Sequence, residues 1–412
     1  MNYELFIAKR IIGDKAYKSS VSAPIIKIGI TAIAVGIVVM LVAIATGLGL
    51  QEKVRDKVVA FNGHVSLTNF DSNISDETIV PISKNQDFYP DFKSVEGVDH
   101  VQAIATKFGI IRTETDFEGI VLKGVGSDYD WRYLQEFLIA GETPTFGEET
   151  SNDVMISKYI ADRLNLKVGE KFQTVFGKES IEEIPNIRSF KIVGIFDSGF
   201  KELDKTYMIG DIRQVQRLNK WEEDQVGGFE VFIDDFTKIA EKGEEIYRSV
   251  PSTINSTTVE QKYLTTFEWI KIFDNNTYGI IGIMILVAGI NMITALLVLI
   301  LERTQMIGIL KSLGSTNWSI RKVFLYNATY LIGLGLLWGN IIGLGLIFAQ
   351  DKFEFLHFPD PDQYYMSIIP VSLKLQNILM LNIGTFVACM LMLLIPSYII
   401  TKISPVKAIR FD

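Results

Sequence analysis

Four stretches of this chain are long and apolar enough to cross a bilayer, and they constrain the fold more than any other feature. A hydrocarbon core about 30 Å thick takes roughly 20 helical residues, because backbone polar groups in lipid must be satisfied within the element itself. The first stretch is Ile28 to Leu50, IGITAIAVGIVVMLVAIATGLGL, and the second is Gly279 to Leu301, GIIGIMILVAGINMITALLVLIL, with Asn291 near its centre. The third runs from Val323 to Ala349 and the fourth from Ile378 to Ile400. Ala43-Ile44-Ala45 in the first run has the small-residue spacing of a signal-peptide cleavage site. That run is longer than a signal peptide's apolar region, so it reads as a retained span.

These spans account for only part of the 412 residues. A hydrophobic content of 48% and a mean hydropathy of +0.25 fit a mixture of membrane helices and a large water-soluble part. A net charge of -8 gives no general basic surface and argues against nucleic acid as a partner. Cys389 is the single cysteine, which excludes an internal disulfide.

Basic residues in short loops set orientation, because such segments stay cytoplasmic. Lys9, Arg10, Lys15 and Lys18 precede the first span, Arg303, Lys311, Arg321 and Lys322 separate the second and third, and Lys402, Lys407 and Arg410 follow the fourth. The expected division is a cytoplasmic amphipathic helix (1–24), span one (25–50) and an extracytoplasmic α+β domain (51–277). Span two (278–301), a cytoplasmic loop (302–322) and span three (323–349) follow, then a short loop on the outer side (350–377), span four (378–400) and a cytoplasmic tail (401–412).

The large insert reads as α+β. VQAIATKFGIIRT, FEGIVLKGVG, RSFKIVGIFDSG, KTYMIGD and GFEVFIDD are strand candidates, and DIRQVQRLN and DFTKIAEKGEEIYRSV are helix candidates. DVMISKYIADRLNLKVGEKFQTVF reads as strand, short helix and return strand, turning at Val168-Gly169-Glu170. His64, His100 and His357 are scattered, with no second histidine or cysteine at metal-ligand spacing. Neither a G-x-S-x-G elbow nor a Walker A loop is present, so no enzyme activity is expected of this chain.

Three segments suggest work rather than packing alone. Tyr3, Ile7 and Ile11 lie four apart in MNYELFIAKRIIG, with Phe6 beside them, as in a helix lying in the membrane interface. In ERTQMIGILKSLGSTNWSIRKVF, Met306, Leu310 and Leu313 fall at i, i+4 and i+7, with Ile309 adjacent; Gly314 is placed to stop the helix, and Ser315 or Thr316 to cap the next. Periodicity leaves open whether this loop helix tucks against the membrane or docks into a groove on a cytoplasmic partner. Gly335, Gly339 and Gly343 repeat every four residues on span three, which suits close helix packing within the chain or in a dimer, and Asn291 reads as interhelical glue.

The chain resembles the FtsX/MacB-type ABC transporter permeases, and within them the lipoprotein-releasing permeases of the LolC/LolE type. The matching stretches are ELFIAKRI, GLGLQEKVRDKVVAFNGHVSL, RSFKIVGIFDSG, INMITALLVLILERTQMIGILKSLGSTNWSIRKVF and PSYIITKISPVKAIRFD, in that order along nearly the whole chain. The resemblance implies a cytoplasmic pair of ABC ATPase subunits that bind ATP and Mg, a second permease subunit, identical or related, and motion carried across the inner membrane to release a lipoprotein to a periplasmic carrier. This chain itself would hold no cofactor. The resemblance also implies a coupling helix gripped by the ATPase, with Glu302, Arg303, Met306, Ile307, Gly308, Ile309, Leu310, Lys311, Leu313 and Gly314 as its docking segment. A carrier-binding hairpin of family members would fall on KESIEEIPNIR, with Lys178, Glu179, Ile181, Glu182, Glu183, Pro185 and Arg188. Within the same machinery, a MacB-like efflux permease would carry its ATPase in the same chain, and an FtsX-like regulator of cell-wall hydrolases would have a smaller outer domain.

Overall fold

The computed structural model describes residues 3–13, 22–71, 77–177, 184–360, 364 and 366–404. In chain order the elements are helices α1 (Tyr3–Gly13) and α2 (Ser22–Asn62), strands β1 (Val65–Asn69), β2 (Ile82–Ser83), β3 (Val98–Arg112) and β4 (Phe117–Val125), then α3 (Arg132–Gln135) and β5 (Leu138–Gly141). There follow β6 (Asp153–Ser157), α4 (Lys158–Leu164), β7 (Lys171–Phe176), β8 (Asn186–Phe196), α5 (Lys201–Thr206), β9 (Tyr207–Asp211), α6 (Ile212–Asn219), β10 (Gln225–Val226) and β11 (Gly228–Ile233). A 3-10 turn (Phe236–Lys238) leads to α7 (Ile239–Ser249), β12 (Ile254–Thr258), α8 (Val259–Lys262), α9 (Leu264–Glu302), α10 (Thr304–Ser312), α11 (Asn317–Phe353), α12 (Leu375–Ser397) and α13 (Ile399–Lys402). The chain divides into a helical unit, residues 1–52, 269–357 and 368–412, and a sheet unit, residues 53–268 and 358–367.

In the helical unit, α2, α9, α11 and α12 are each long and apolar enough to cross a membrane. The first apolar run ends at Leu50, but QEKVRDKVVAFN carries α2 on to Asn62, with Gly63 at φ +66° ending it. Span three meets span one along the glycine stripe. A Cβ on Gly335 would lie 2.7 Å from the Ile33 Cβ, one on Gly339 2.7 Å from the Ile37 Cβ and 2.9 Å from the Ala34 carbonyl oxygen, and one on Gly343 2.9 Å from Leu41. The stripe thus packs within the chain, letting α2 and α11 approach as closely as backbones permit. Replacing Gly339 with alanine should destabilise the detergent-solubilised protein by about 1–3 kcal/mol through overpacking. Alanine at Gly333 on the same helix, where a Cβ meets nothing within 4 Å, should be neutral or stabilise by up to about 1 kcal/mol through helix propensity. Parallel unfolding midpoints check the pair.

Asn291 turns inward on its own helix: its Nδ2 donates to the Val287 carbonyl one turn back at 3.0 Å. The interhelical amide bond lies elsewhere, between Asn340 of α11 and Asn382 of α12. Each donates its Nδ2 to the other's Oδ1, at 2.6 and 3.0 Å, and each also donates to a carbonyl of its own helix. The reciprocal pair satisfies four polar groups that lipid would leave unpaired.

In the sheet unit the order is β12-β1-β11-β3-β4-β9-β6-β8-β5, with β7 pairing both β3 and β8. The ladders are antiparallel except β4 with β9 and β6 with β8. The strand, helix and return strand expected over DVMISKYIADRLNLKVGEKFQTVF form as β6, α4 and β7. Ser157 caps α4 by accepting from the Ile160 amide, and Asn165 ends it at φ +51°. His64 is buried, and its Nδ1 accepts the Ile233 amide at 3.1 Å. Burial, with Arg55 nearby, pushes its pKa down to about 4, so the ring is a neutral structural acceptor. Among the described residues no group of three His, Cys, Asp or Glu side chains is placed to hold a metal.

The middle of β4 breaks the apolar pattern. Lys123 is 1% exposed, and its Nζ donates to Glu230 of β11 at 2.6 and 2.9 Å and to the Phe61 carbonyl at 2.7 Å. Glu230 also accepts from Gln102 Nε2 at 2.8 Å. A buried charge pair needs such extra hydrogen bonds to offset its desolvation, and here the ammonium doubles as a cap on an orphan carbonyl at the end of α2.

Candidate functional site

The segment between spans two and three forms a compact helix with defined ends. Glu302 is the exposed last residue of α9, and half-buried Arg303 occupies the position before α10. Gly314, at φ +90°, closes α10: its amide donates to the Lys311 carbonyl and the Ser315 amide to the Leu310 carbonyl, both at 3.0 Å. This paired pattern with a left-handed glycine is the Schellman closure. Thr316 then caps α11 by accepting from the Ser319 amide at 3.2 Å.

Burial divides the apolar residues of α10 into two sets. Ile307 and Gly308 are buried, and Met306 and Leu310 pack half-buried against the core of the helical unit. Ile309 is 47% exposed and Leu313 78% exposed, on the side that also shows Gln305 and Ser312. The stripe read from i, i+4, i+7 spacing therefore mixes the two sides: Met306 and Leu310 anchor the helix, while Ile309 and Leu313 face outward, with Trp318 exposed just beyond.

The loop's basic residues tie it to the end of span four. Lys311 Nζ donates to the carbonyls of Ile400 and Ile403 at 2.7 and 2.8 Å, and partial burial lowers its pKa. Arg321 donates to Ser397 Oγ at 3.0 and 3.1 Å and to the Leu394 carbonyl at 3.1 Å, with its guanidinium over the rings of Trp318 and Tyr398. Cations at a helix C-terminus complement both its unpaired carbonyls and its dipole. In sequence these charges signalled orientation, and the resemblance added Lys311 to the docking segment; their ties to span four were not foreseen.

Helix α1 joins the same assembly. Ala8 and Ile11 are buried against Val323, with Ile7 and Met306 packed alongside, and Glu4 accepts from Ser319 Oγ at 2.9 Å. Tyr3, Leu5 and Phe6 remain exposed, so α1 buries one stripe in the protein and leaves a second apolar side open. A cavity of about 370 Å³ lies among α2, α9 and α12, lined by Ile44, Leu48, Ile281, Ile285, Leu381 and Thr385. Thr385 is fully buried, and its hydroxyl has no hydrogen-bond partner among the described residues.

Of the expected hairpin, Lys178, Glu179, Ile181, Glu182 and Glu183 lie outside the described residues. Pro185 directly precedes β8 and is exposed, and Arg188 lies within that strand, paired with Thr174 of β7.

Comparison with known proteins gives two profile matches. The MacB-like periplasmic core domain matches residues 28–262, and the FtsX-like permease C-terminal region matches residues 278–405. Among full-length relatives, a lipoprotein-releasing system transmembrane protein LolC of Buchnera aphidicola subsp. Schizaphis graminum is 21% identical, covering 97% of each chain. The LolC of Neisseria meningitidis serogroup B is 20% identical over 93% of this chain and 94% of its own. The LolE of Haemophilus influenzae is 20% identical over 99% of both. Among solved structures, the extracellular domain of the ABC-type transporter YknZ from Gram-positive bacteria superposes with a TM-score of 0.31 at 16% identity, covering 47% of this chain and 99% of that one.

Proposed function

This chain belongs to the FtsX/MacB-type family of ABC transporter permeases, and from that premise we propose that it is the membrane subunit of a lipoprotein-releasing transporter. In this reading a cytoplasmic pair of ATPase subunits binds ATP and Mg, and α10 is the coupling helix that the ATPase grips. A second permease subunit, identical or related, completes the membrane part. Closure of the ATPase pair is transmitted through the spans to the sheet unit on the periplasmic side, where a lipoprotein is passed to a soluble carrier.

The observation that carries this reading is the two-sided burial of α10. Met306, Ile307 and Leu310 fix the helix to the spans, while Ile309 and Leu313 present an apolar edge to whatever lies beyond. A helix held this rigidly can convey a push, and exposed apolar anchors at i and i+4 are what a groove on a partner accepts. The cavity among α2, α9 and α12 is lined mostly by apolar side chains, with Asp274, Thr277 and Asn377 as polar members, which suits an acyl chain that carries a polar end. The relatives' names point to lipoproteins as cargo. The deciding experiment reconstitutes the chain with its ATPase and second permease subunit in vesicles loaded with a fluorescent lipoprotein and adds a soluble carrier. ATP-dependent appearance of lipoprotein in the soluble fraction is expected. ATP hydrolysis without release would overturn the cargo assignment and favour a regulatory role.

A further inference from the structure

We infer that a clasp centred on Asn62 joins the end of α2 to the start of α9 inside the sheet unit, making Asn62 a positioning residue through which displacement of either helix reaches strands β1 and β12 as one motion. This rests on the reading of the chain as a transmitter of ATPase motion.

The clasp follows from how both helices end. Asn62 is the last residue of α2 and is 4% exposed. Its Nδ2 donates to the Val58 carbonyl at 3.0 Å, and its Oδ1 accepts from Lys262 Nζ at 2.9 Å and from the Tyr263 hydroxyl at 3.2 Å. Lys262 is the last residue of α8, and Tyr263 alone separates it from α9. A second connection runs through the backbone: β1, just beyond α2, pairs residue by residue with β12, just before α8, from Val65 opposite Thr258 to Asn69 opposite Ile254. The Val259 amide also donates to the His64 carbonyl at 2.9 Å.

Helix capping does not explain the amide at this position. Gly63 takes the left-handed conformation that ends α2, and its own Cβ would lie 2.9 Å from the Glu230 Cβ, so the turn belongs to the glycine. The neighbouring Phe61 carbonyl is served by Lys123. A buried amide is unfavourable unless bonded, and an apolar side chain would fill the same space without that demand. What the amide adds is a directional bond to the segment that begins α9.

The test uses the reconstituted full-length complex and measures ATP hydrolysis and lipoprotein release in the same vesicles. Asn62→Ala and the double variant Lys262→Met/Tyr263→Phe should hydrolyse ATP within about twofold of wild type but release about tenfold less lipoprotein per ATP, the scale of loss when one link of a coupled network is cut. Combining all three substitutions should be no worse than either, because one joint is removed in each case. Asn62→Asp, which keeps the acceptor, should stay near wild type. Wild-type release per ATP in Asn62→Ala would overturn the inference. So would release and hydrolysis falling in parallel with the unfolding midpoint, which marks a purely structural role. If Asn62→Ala fails to fold, the double variant decides, since it leaves Asn62 in place. If the wild-type complex hydrolyses ATP without releasing lipoprotein, the cargo reading fails and the clasp is judged by hydrogen exchange. Nucleotide must then change protection in β1 and β12 together in wild type and separately in Asn62→Ala; any other pattern refutes it.

Discussion

Replacing both Ile309 and Leu313 with aspartate should weaken association with the ATPase by about 100-fold or more while leaving the chain inserted and folded. Each side chain, fully buried in a partner's groove, contributes about 1.5–3 kcal/mol, and every 1.4 kcal/mol is tenfold in affinity. Both residues are outward-facing in the free chain, so the change removes little that holds α10 in place. Leu310→Asp is the informative contrast. It puts a carboxylate among the half-buried residues packed on the spans and should lower the unfolding midpoint before it affects docking. Co-purification and thermal unfolding of the same preparations separate the two outcomes. Intact association of the double aspartate variant would show that α10 is not the gripped element.

Lys123→Met should destabilise the sheet unit by about 3–5 kcal/mol, because it leaves the Glu230 carboxylate buried without its counter-charge. One other loss accompanies it: the Phe61 carbonyl at the end of α2 loses its Lys123 donor, while Gln102 remains a side-chain donor to Glu230. Adding Glu230→Gln should recover a substantial part of the loss, since the stranded charge disappears. Chemical unfolding in detergent, followed by exchange of β4 and β11 amides, measures both variants. A loss below about 1 kcal/mol for Lys123→Met would mean that water reaches the pair and that it behaves as a surface ion pair.

The spans were legible because lipid leaves few alternatives to a helix of about 20 apolar residues. The end of α10 and the start of α11 were legible too, because Gly314 and Thr316 are local signals whose geometry depends on their immediate neighbours. Which side of α10 faces outward was not legible. Apolar residues occupy 306, 307, 309, 310 and 313, covering much of the helix circumference, and the surrounding helices decide which of them are covered. Asn291 and the Asn340–Asn382 pair show the same limit. Each asparagine within a span must bond something, but whether the partner is its own helix or another depends on the rotation of both helices. Lys123 was hidden for a different reason. One lysine in FEGIVLKGV reads as a solvated strand position, and its partner Glu230 lies on a strand far away in sequence.

The glycine stripe on α11 has a consequence for assembly. Positions 335, 339 and 343 are filled by Ile33, Ile37 and Leu41 of the same chain, so this smooth seam is already occupied in every copy. A second permease subunit would therefore have to meet other helix faces, among them the side of α11 that carries Gly333 and Gly345, where a Cβ meets nothing within 4 Å.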